Sequence, residues 1–278
     1  LAKHHKPDNP VVGSKISLSP IGQLSIKKEA AGKLRVFAMV DVWTQSALKP
    51  LHSYLFSFLK SLPNDGTFDQ QASVKRCMEK SLVSKKSFGY DLSAATDRLP
   101  IDLQVSVLSS FFDKEFADAW KKLLVGRAYI LPDMDDKSIA HVLRYSVGQP
   151  MGALSSWAML AVTHHLLVQL AAQRAGMRIP GHWYDNYELL GDDINLFDGS
   201  VAAQYLLLME EIGVPINLSK SVVATNASFE FAKVTGHCGQ NVSAISWKMF
   251  LSQNTLMGRV NILYSLLNKD IRTPRMGA

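Results

Sequence analysis

The sequence predicts an α+β fold in which strands and helices alternate irregularly. Two short apolar runs, Tyr187-Glu188-Leu189-Leu190 and Ile194-Asn195-Leu196-Phe197, flank Gly191-Asp192-Asp193 and read as a tight β-hairpin. Apolar residues recur at helical spacing in several longer stretches. These stretches do not alternate regularly with strands, as a doubly wound parallel sheet requires. The chain has 278 residues, of which 47% are hydrophobic, enough for one large core or two interleaved ones.

Residues 1–35 are basic and punctuated by Pro7, Pro10, Gly13, Pro20, Gly22 and Gly32, which predicts loops with short strands. From Asp41 to Leu62 the residues Val42, Leu48, Leu51, Leu55, Phe58 and Leu59 lie at helical spacing. Pro63-Asn64-Asp65-Gly66 ends that helix with turn residues, and a shorter helix follows around 70–82. Ser87-Phe88-Gly89-Tyr90 reads as a strand ending on Asp91. Residues 101–124 predict one helix, with Leu103, Val107, Leu108, Phe111, Phe112, Phe116, Trp120 and Leu123 on one side. Ala128-Tyr129-Ile130-Leu131 and His141-Val142-Leu143-Arg144-Tyr145 predict two strands around an acidic turn at 132–137. Gly148 to Gly152 is a glycine loop leading into a helix over 154–175. A helix at 200–212 stops at Gly213. Short strands at 214–216, 221–224 and 228–234 follow, then a final helix near 247–268.

The net charge of +6 suits a polyanionic partner without selecting one. Only Cys77 and Cys238 occur, far apart, so the sequence predicts no disulfide and no zinc site, and a reducing compartment is the default. Leu1 to Pro10 is polar and Lys/His-rich, without the apolar stretch of a signal peptide. The start at Leu1 and the end at Arg275-Met276-Gly277-Ala278 predict a piece of a longer protein. The longest apolar run, Trp157 to Ala172, is interrupted by Thr163, His164, His165 and Gln169. It is too short for a membrane span and reads as a buried helix, with at least one of the two histidines a satisfied core residue.

Gly-Asp-Asp is an ordinary turn tripeptide, since both residue types favour tight turns. It also suits phosphoryl and nucleotidyl transfer. That chemistry builds charge on oxygens in line at phosphorus, and two divalent cations roughly 3.5–4 Å apart stabilise it. Mg²⁺ takes oxygen ligands and keeps waters, so the protein supplies only a few carboxylates. Asp192 and Asp193 at a hairpin tip, with Asp91 at the end of a neighbouring strand, have those settings.

The blocks around these carboxylates carry a resemblance. Phe88-Gly89-Tyr90-Asp91-Leu92-Ser93-Ala94-Ala95-Thr96-Asp97-Arg98-Leu99-Pro100, then Gly148-Gln149-Pro150-Met151-Gly152-Ala153-Leu154-Ser155-Ser156-Trp157, then Gly191-Asp192-Asp193 occur in that order. They look like motifs A, B and C of viral RNA-dependent RNA polymerases, and the wording resembles the mitovirus branch, related to narnaviruses and RNA phages. Gly32-Lys33-Leu34-Arg35 with Asp41 and Gln45 resembles the basic fingers motif, and Asp65-Gly66-Thr67-Phe68-Asp69-Gln70 a segment upstream of motif A. Asn217-Leu218-Ser219-Lys220-Ser221 resembles motif D, and Phe229-Glu230-Phe231-Ala232-Lys233 motif E. The resemblance covers roughly residues 30–250.

It implies a right-hand polymerase: an antiparallel palm sheet with helices on one side, part of the fingers and the start of a thumb. The implied division is fingers over 1–86 and an insertion at 113–147, palm over 87–112 and 148–240, and thumb from 241 to 278. Carried over, Asp91 and Asp192 resemble the principal Mg²⁺ (or Mn²⁺) ligands, and Asp193 the supporting carboxylate. Lys33 and Arg35 resemble the groups that meet the incoming triphosphate, and Lys220 the acid that protonates pyrophosphate. Asp97, Gly152, Ser155 and Ser156 resemble the nucleotide-binding residues. Two positions depart from the broader pattern. Thr96 stands where many such enzymes carry a second motif A aspartate, with Asp97 one residue later, and Leu160 stands where many carry a motif B asparagine. The implied activity is RNA-directed RNA synthesis from ribonucleoside triphosphates on an RNA template, and the implied location is the mitochondrion of the host. Two rival readings remain. A reverse transcriptase shares the paired aspartates, but Gly191 argues against it. An inactive viral remnant, or a fragment that at most binds RNA, is the other.

Overall fold

A computed structural model describes residues 22–29, 32, 34–133, 140–244 and 247–268. Lys33, residues 1–21 and most of the expected acidic turn at 132–137 lie outside the described residues.

The helix expected from Asp41 is α1, Val42–Ser61. Asp41 caps it by accepting the Thr44 N–H at 2.9 Å. Its buried stripe, Leu48, Leu51, Leu55 and Leu59, packs against the helix over Ser156–Arg174 and shares one core cluster with α4 (Ile101–Phe111) and α5 (Lys114–Val125). The sequence reads 101–124 as one helix, and the structure breaks it at Phe112. Asp113 opens α5 by accepting the Phe116 N–H at 2.7 Å, so a capping side chain overrides the continuous apolar spacing.

One sheet combines the N-terminal third with the 113–147 segment. β1 (Gly22–Lys28) pairs antiparallel with β2 (Leu34–Val40) and parallel with β4 (Tyr129–Pro132), and β5 (Ala140–Leu143) completes it. Leu24, Ala38 and Tyr129 fill the space beneath.

The central sheet has the order β6-β7-β3-β8, all antiparallel. Its strands are β3 (Ser87–Asp91), β6 (Tyr187–Leu190), β7 (Asp193–Leu196) and β8 (Val222–Ala224). One face carries Tyr187, Leu189, Ile194 and Leu196 onto α6 (Ser156–Arg174) and α7 (Gly199–Glu211). Fourteen residues of α6 are buried, because α1 and α4 cover the side that the sheet does not.

Helices do not lie on one side only. Alternation along β6 turns Glu188 and Leu190 to the opposite face, where α2 (Gln70–Ser84) covers them. A small sheet of β9 (Ser228–Phe231), β10 (Val234–His237) and β11 (Gln240–Asn241) packs there too, through Phe229 and Phe231. The strand expected over 228–234 is thus two, folded at Ala232-Lys233. Of the strand expected at 214–216, only a single bridge from Ile216 to Leu92 forms.

The expected C-terminal helix is α8 (Trp247–Leu251), a 3-10 turn and α9 (Leu256–Asn268). Among the described residues, no helix is long and apolar enough to cross a membrane. Cys77 is buried and Cys238 exposed, and both are free thiols.

Candidate active site

The turn between β6 and β7 is shorter than the tripeptide suggests. Gly191 and Asp192 make it, and Asp193 already belongs to β7. Gly191 has φ +65°, and a Cβ there would lie 2.8 Å from the Trp157 ring, so the position requires glycine on two counts. In the ladder, Asp193 pairs with Leu190 on one side and Asp91 on the other.

A cleft of about 190 Å³ opens at this point, lined by Asp91, Asp192, Asp193, Lys220, Glu230 and Lys233, together with Gly89, Tyr90 and Val222. The Lys220 segment reaches it because it is tied to the backbone of Asp91. The Asn217 N–H donates to the Asp91 carbonyl at 2.8 Å, and Ser221 Oγ accepts the Asp91 N–H at 3.3 Å. The β9–β10 turn approaches from the far side, where the Ala232 N–H donates to Asp193 Oδ2 at 2.7 Å.

Burial pushes the Asp193 carboxyl up to about 6. The Ala232 N–H pulls it down, while the charges of Asp192, Glu230 and Asp91 push it further up. The cleft thus concentrates negative charge, with Lys220 and Lys233 on its wall. Among the described residues, no three His, Cys, Asp or Glu side chains form a ready-made metal cage. The donors are carboxylate oxygens, the ligand class that Mg²⁺ takes while keeping several waters.

The other expected residues surround a second structure, the glycine loop. The Ala38 N–H donates to the Met151 carbonyl at 2.7 Å. Gly152 has φ +111°, and a Cβ there would lie 2.6 Å from the Ala38 carbonyl. The Gln45 amide donates to the Gly152 carbonyl at 3.2 Å and accepts the Leu154 N–H at 2.8 Å. Ser155 Oγ accepts from Trp120 Nε1 at 2.9 Å, and Ser156 Oγ donates to the Pro150 carbonyl at 2.9 Å. Both serines are buried, with their hydroxyls engaged by protein. Arg35 is exposed, pairs with Glu29 at 3.1 Å and lies 4.0 Å from Met151 Sδ. Asp97 sits in the short helix α3 (Ala95–Arg98), whose backbone packs against Gly148. Lost hydration raises its carboxyl and the Arg98 charge lowers it. The structure therefore gathers Asp91, Asp192, Asp193 and Lys220 in one cleft, and sets Arg35, Asp97 and Gly152 along the glycine loop.

Several contributors were not singled out from sequence. Glu230 and Lys233 line the cleft only because the β9–β10 turn is folded over Asp193. Glu188, three residues before the turn, is fully buried. Ser73 Oγ donates to it at 2.5 Å, Arg76 at 2.9 and 2.8 Å, and Lys80 at 2.8 Å. His164 and His165 are both buried, hydrogen-bonded core residues.

The model of the family described as mitovirus RNA-dependent RNA polymerase matches residues 2–276. The chain is 38% identical over 258 residues to the RNA-directed RNA polymerase of Cryphonectria parasitica mitovirus 1, covering 92% of this chain and 30% of that protein. It therefore spans less than a third of that relative's length. It is 34% identical over 213 residues to an uncharacterized mitochondrial protein of Arabidopsis thaliana, covering 75% of this chain and 82% of the other. Among solved structures, the RNA-dependent RNA polymerase of a human picobirnavirus superposes with a TM-score of 0.57 at 19% identity, over 79% of this chain and 45% of that one. A Candida albicans telomerase gives 0.60 at 12% identity, over 90% and 53%. At such identities these two establish the fold alone, the right-hand polymerase architecture. The chain belongs to the mitovirus RNA-dependent RNA polymerase family.

Proposed function

We propose that the chain carries the catalytic part of an RNA-directed RNA polymerase, which adds ribonucleoside monophosphate units to an RNA 3′-hydroxyl and releases pyrophosphate. The observation that carries this reading is the meeting of Asp91, Asp192 and Asp193 in one cleft with Lys220 on its wall. Membership of a family described by that activity supports it.

In this reading Asp91 and Asp192 hold Mg²⁺ or Mn²⁺, with Asp193 in support. Bound there, the ions supply charge stabilisation at the attacking and leaving oxygens. Lys220 gives its ammonium proton to the departing pyrophosphate oxygen. Arg35, with Lys33, offers the triphosphate a charged fork once it leaves Glu29. Asp97 and the Gly152 loop border the nucleotide. Ser155 and Ser156 act on it through the loop that they brace, since their hydroxyls are buried and engaged. The fingers are 1–86 and 113–147, the palm 87–112 and 148–240, and the start of the thumb 241–278. RNA template and product are the partners. The host mitochondrion is the site of action, in keeping with the mitochondrial Arabidopsis relative.

The test is extension of RNA on an RNA template by the purified chain with Mg²⁺ or Mn²⁺. Extension with ribonucleotides, lost in Asp91→Asn and Asp192→Asn, is expected. Extension that survives both substitutions sinks the mechanism. A preference for deoxynucleotides favours a reverse transcriptase, and RNA binding without any extension favours an inactive remnant.

A further inference from the structure

We infer that His164, in the middle of α6, is a positioning residue for the Gly191-Asp192 turn: its imidazole holds the turn carbonyl from behind and so sets the direction in which Asp192 presents its carboxylate. The inference rests on the reading above, in which Asp192 is a metal ligand.

The hydrogen-bond chemistry fixes the imidazole at both ends. Nδ1 lies 2.8 Å from the Gly191 carbonyl oxygen. A carbonyl only accepts, so Nδ1 carries the hydrogen. Nε2 lies 2.7 Å from the Tyr205 hydroxyl. Burial pushes His164 down to about 4, and His165 adds to this, although the Gly191 carbonyl works in the other direction. The ring is therefore neutral at pH 7, Nε2 is a bare acceptor, and the Tyr205 hydroxyl donates to it. Neither ring orientation nor tautomer is free to change.

The same contacts reach the second acidic element. Tyr205 stacks on Tyr90 with ring centres 5.8 Å apart and planes 6° apart, and Tyr90 immediately precedes Asp91. An interior path thus runs from Asp91 through Tyr90, Tyr205 and His164 to Gly191 and Asp192. A histidine that merely satisfied Tyr205 needs only its Nε2 acceptor. The donor on Nδ1 serves the turn, and the turn holds Asp192.

Two substitutions separate these roles. In His164→Asn the amide nitrogen stands near the Nδ1 position and keeps a donor for Gly191. In His164→Gln the longer amide stands near Nε2 and keeps an acceptor for Tyr205. Mn²⁺ binding to the full chain, read by electron paramagnetic resonance, is compared with thermal unfolding. Expected is binding within about twofold of the parent for His164→Asn and roughly tenfold weaker for His164→Gln, with similar losses of melting temperature. Any other ranking of the two affinities overturns the inference. A parent chain whose Mn²⁺ binding does not depend on Asp192 overturns the metal reading itself, and that control is read before either histidine variant. The nitrogen spectrum of histidine-labelled parent protein gives a metal-free check. It is expected to report a neutral His164 with its proton on Nδ1, and a proton on Nε2 instead overturns the inference even if both variants fail to fold.

Discussion

Asp91 and Asp193 are direct partners across the β3–β7 ladder. Antiparallel partners send their side chains to the same face, so the strand pairing itself brings two carboxylates together. Charge repulsion between them is built into the register, and a cation bound there would relieve it. Asp192, on the turn, is exposed and adds a third carboxylate to the same cleft.

Burial of the Asp193 carboxyl, with the charges of Asp192, Glu230 and Asp91 beside it, has a measurable cost in the metal-free protein. The Asp193 carboxyl, at about 6, lies above its ordinary 3.8. The folded state therefore holds this proton more tightly than the unfolded chain. Its stabilising contribution is fully present below about pH 4 and is lost as pH rises through about 6. Asp193→Asn keeps an oxygen for the Ala232 N–H and removes the titration. In chelator-treated protein, denaturant unfolding is expected to give similar stabilities near pH 4. By pH 7.5 the variant should be more stable by up to about 3 kcal/mol. A gap that stays constant with pH refutes this account.

How much of this was legible in the sequence depends on the range of the interaction. The β6–β7 hairpin, the strand ending on Asp91 and the cap at Asp41 are local, and their residues announce them. The break at Asp113 was also local, but eight apolar residues at one spacing masked a capping side chain. Glu188 reads as a polar flank until α2, more than 100 residues earlier, supplies its cations. The parallel pairing of β1 with β4 and the fold of the Ala232 turn over Asp193 likewise join distant segments by packing that no short motif encodes. The ligand candidates were therefore visible, while what aims them was not.

The Glu188 contacts predict a specific weakness. A fully buried carboxylate is tolerable only with its partners in place. Arg76→Ala removes the bidentate pair and leaves Lys80 and Ser73. Chemical denaturation is expected to show a loss of about 2–4 kcal/mol. The double variant Arg76→Ala with Glu188→Leu should recover part of it. If the single and double variants are equally unstable, the ionic contacts are not what holds β6 against α2.

Lys220 offers a kinetic test of the proposed proton donor. Lys220→Ala is expected to lower kcat by about a hundredfold, with KM for the nucleotide nearly unchanged. Lys220→Arg keeps the charge, but its guanidinium does not give up a proton near neutral pH, so it should not restore the rate. Full rescue by arginine assigns Lys220 an electrostatic role instead.

Gly191 allows two effects to be separated in one cycle. Its φ of +65° is strained for any side chain, and a Cβ would also strike the Trp157 ring at 2.8 Å. The conformational part costs about 1–2 kcal/mol. The clash adds to it, because moving Trp157 aside disturbs its stacking on Phe56, at 5.7 Å between ring centres. Gly191→Ala alone is therefore expected to lose more than the conformational cost. In a Trp157→Ala background, Gly191→Ala should lose only about 1–2 kcal/mol, since the space is open but φ is unchanged. Equal losses in both backgrounds mean that the turn moves to avoid the ring. In that case Mn²⁺ binding by Gly191→Ala should fall with the displacement of Asp192.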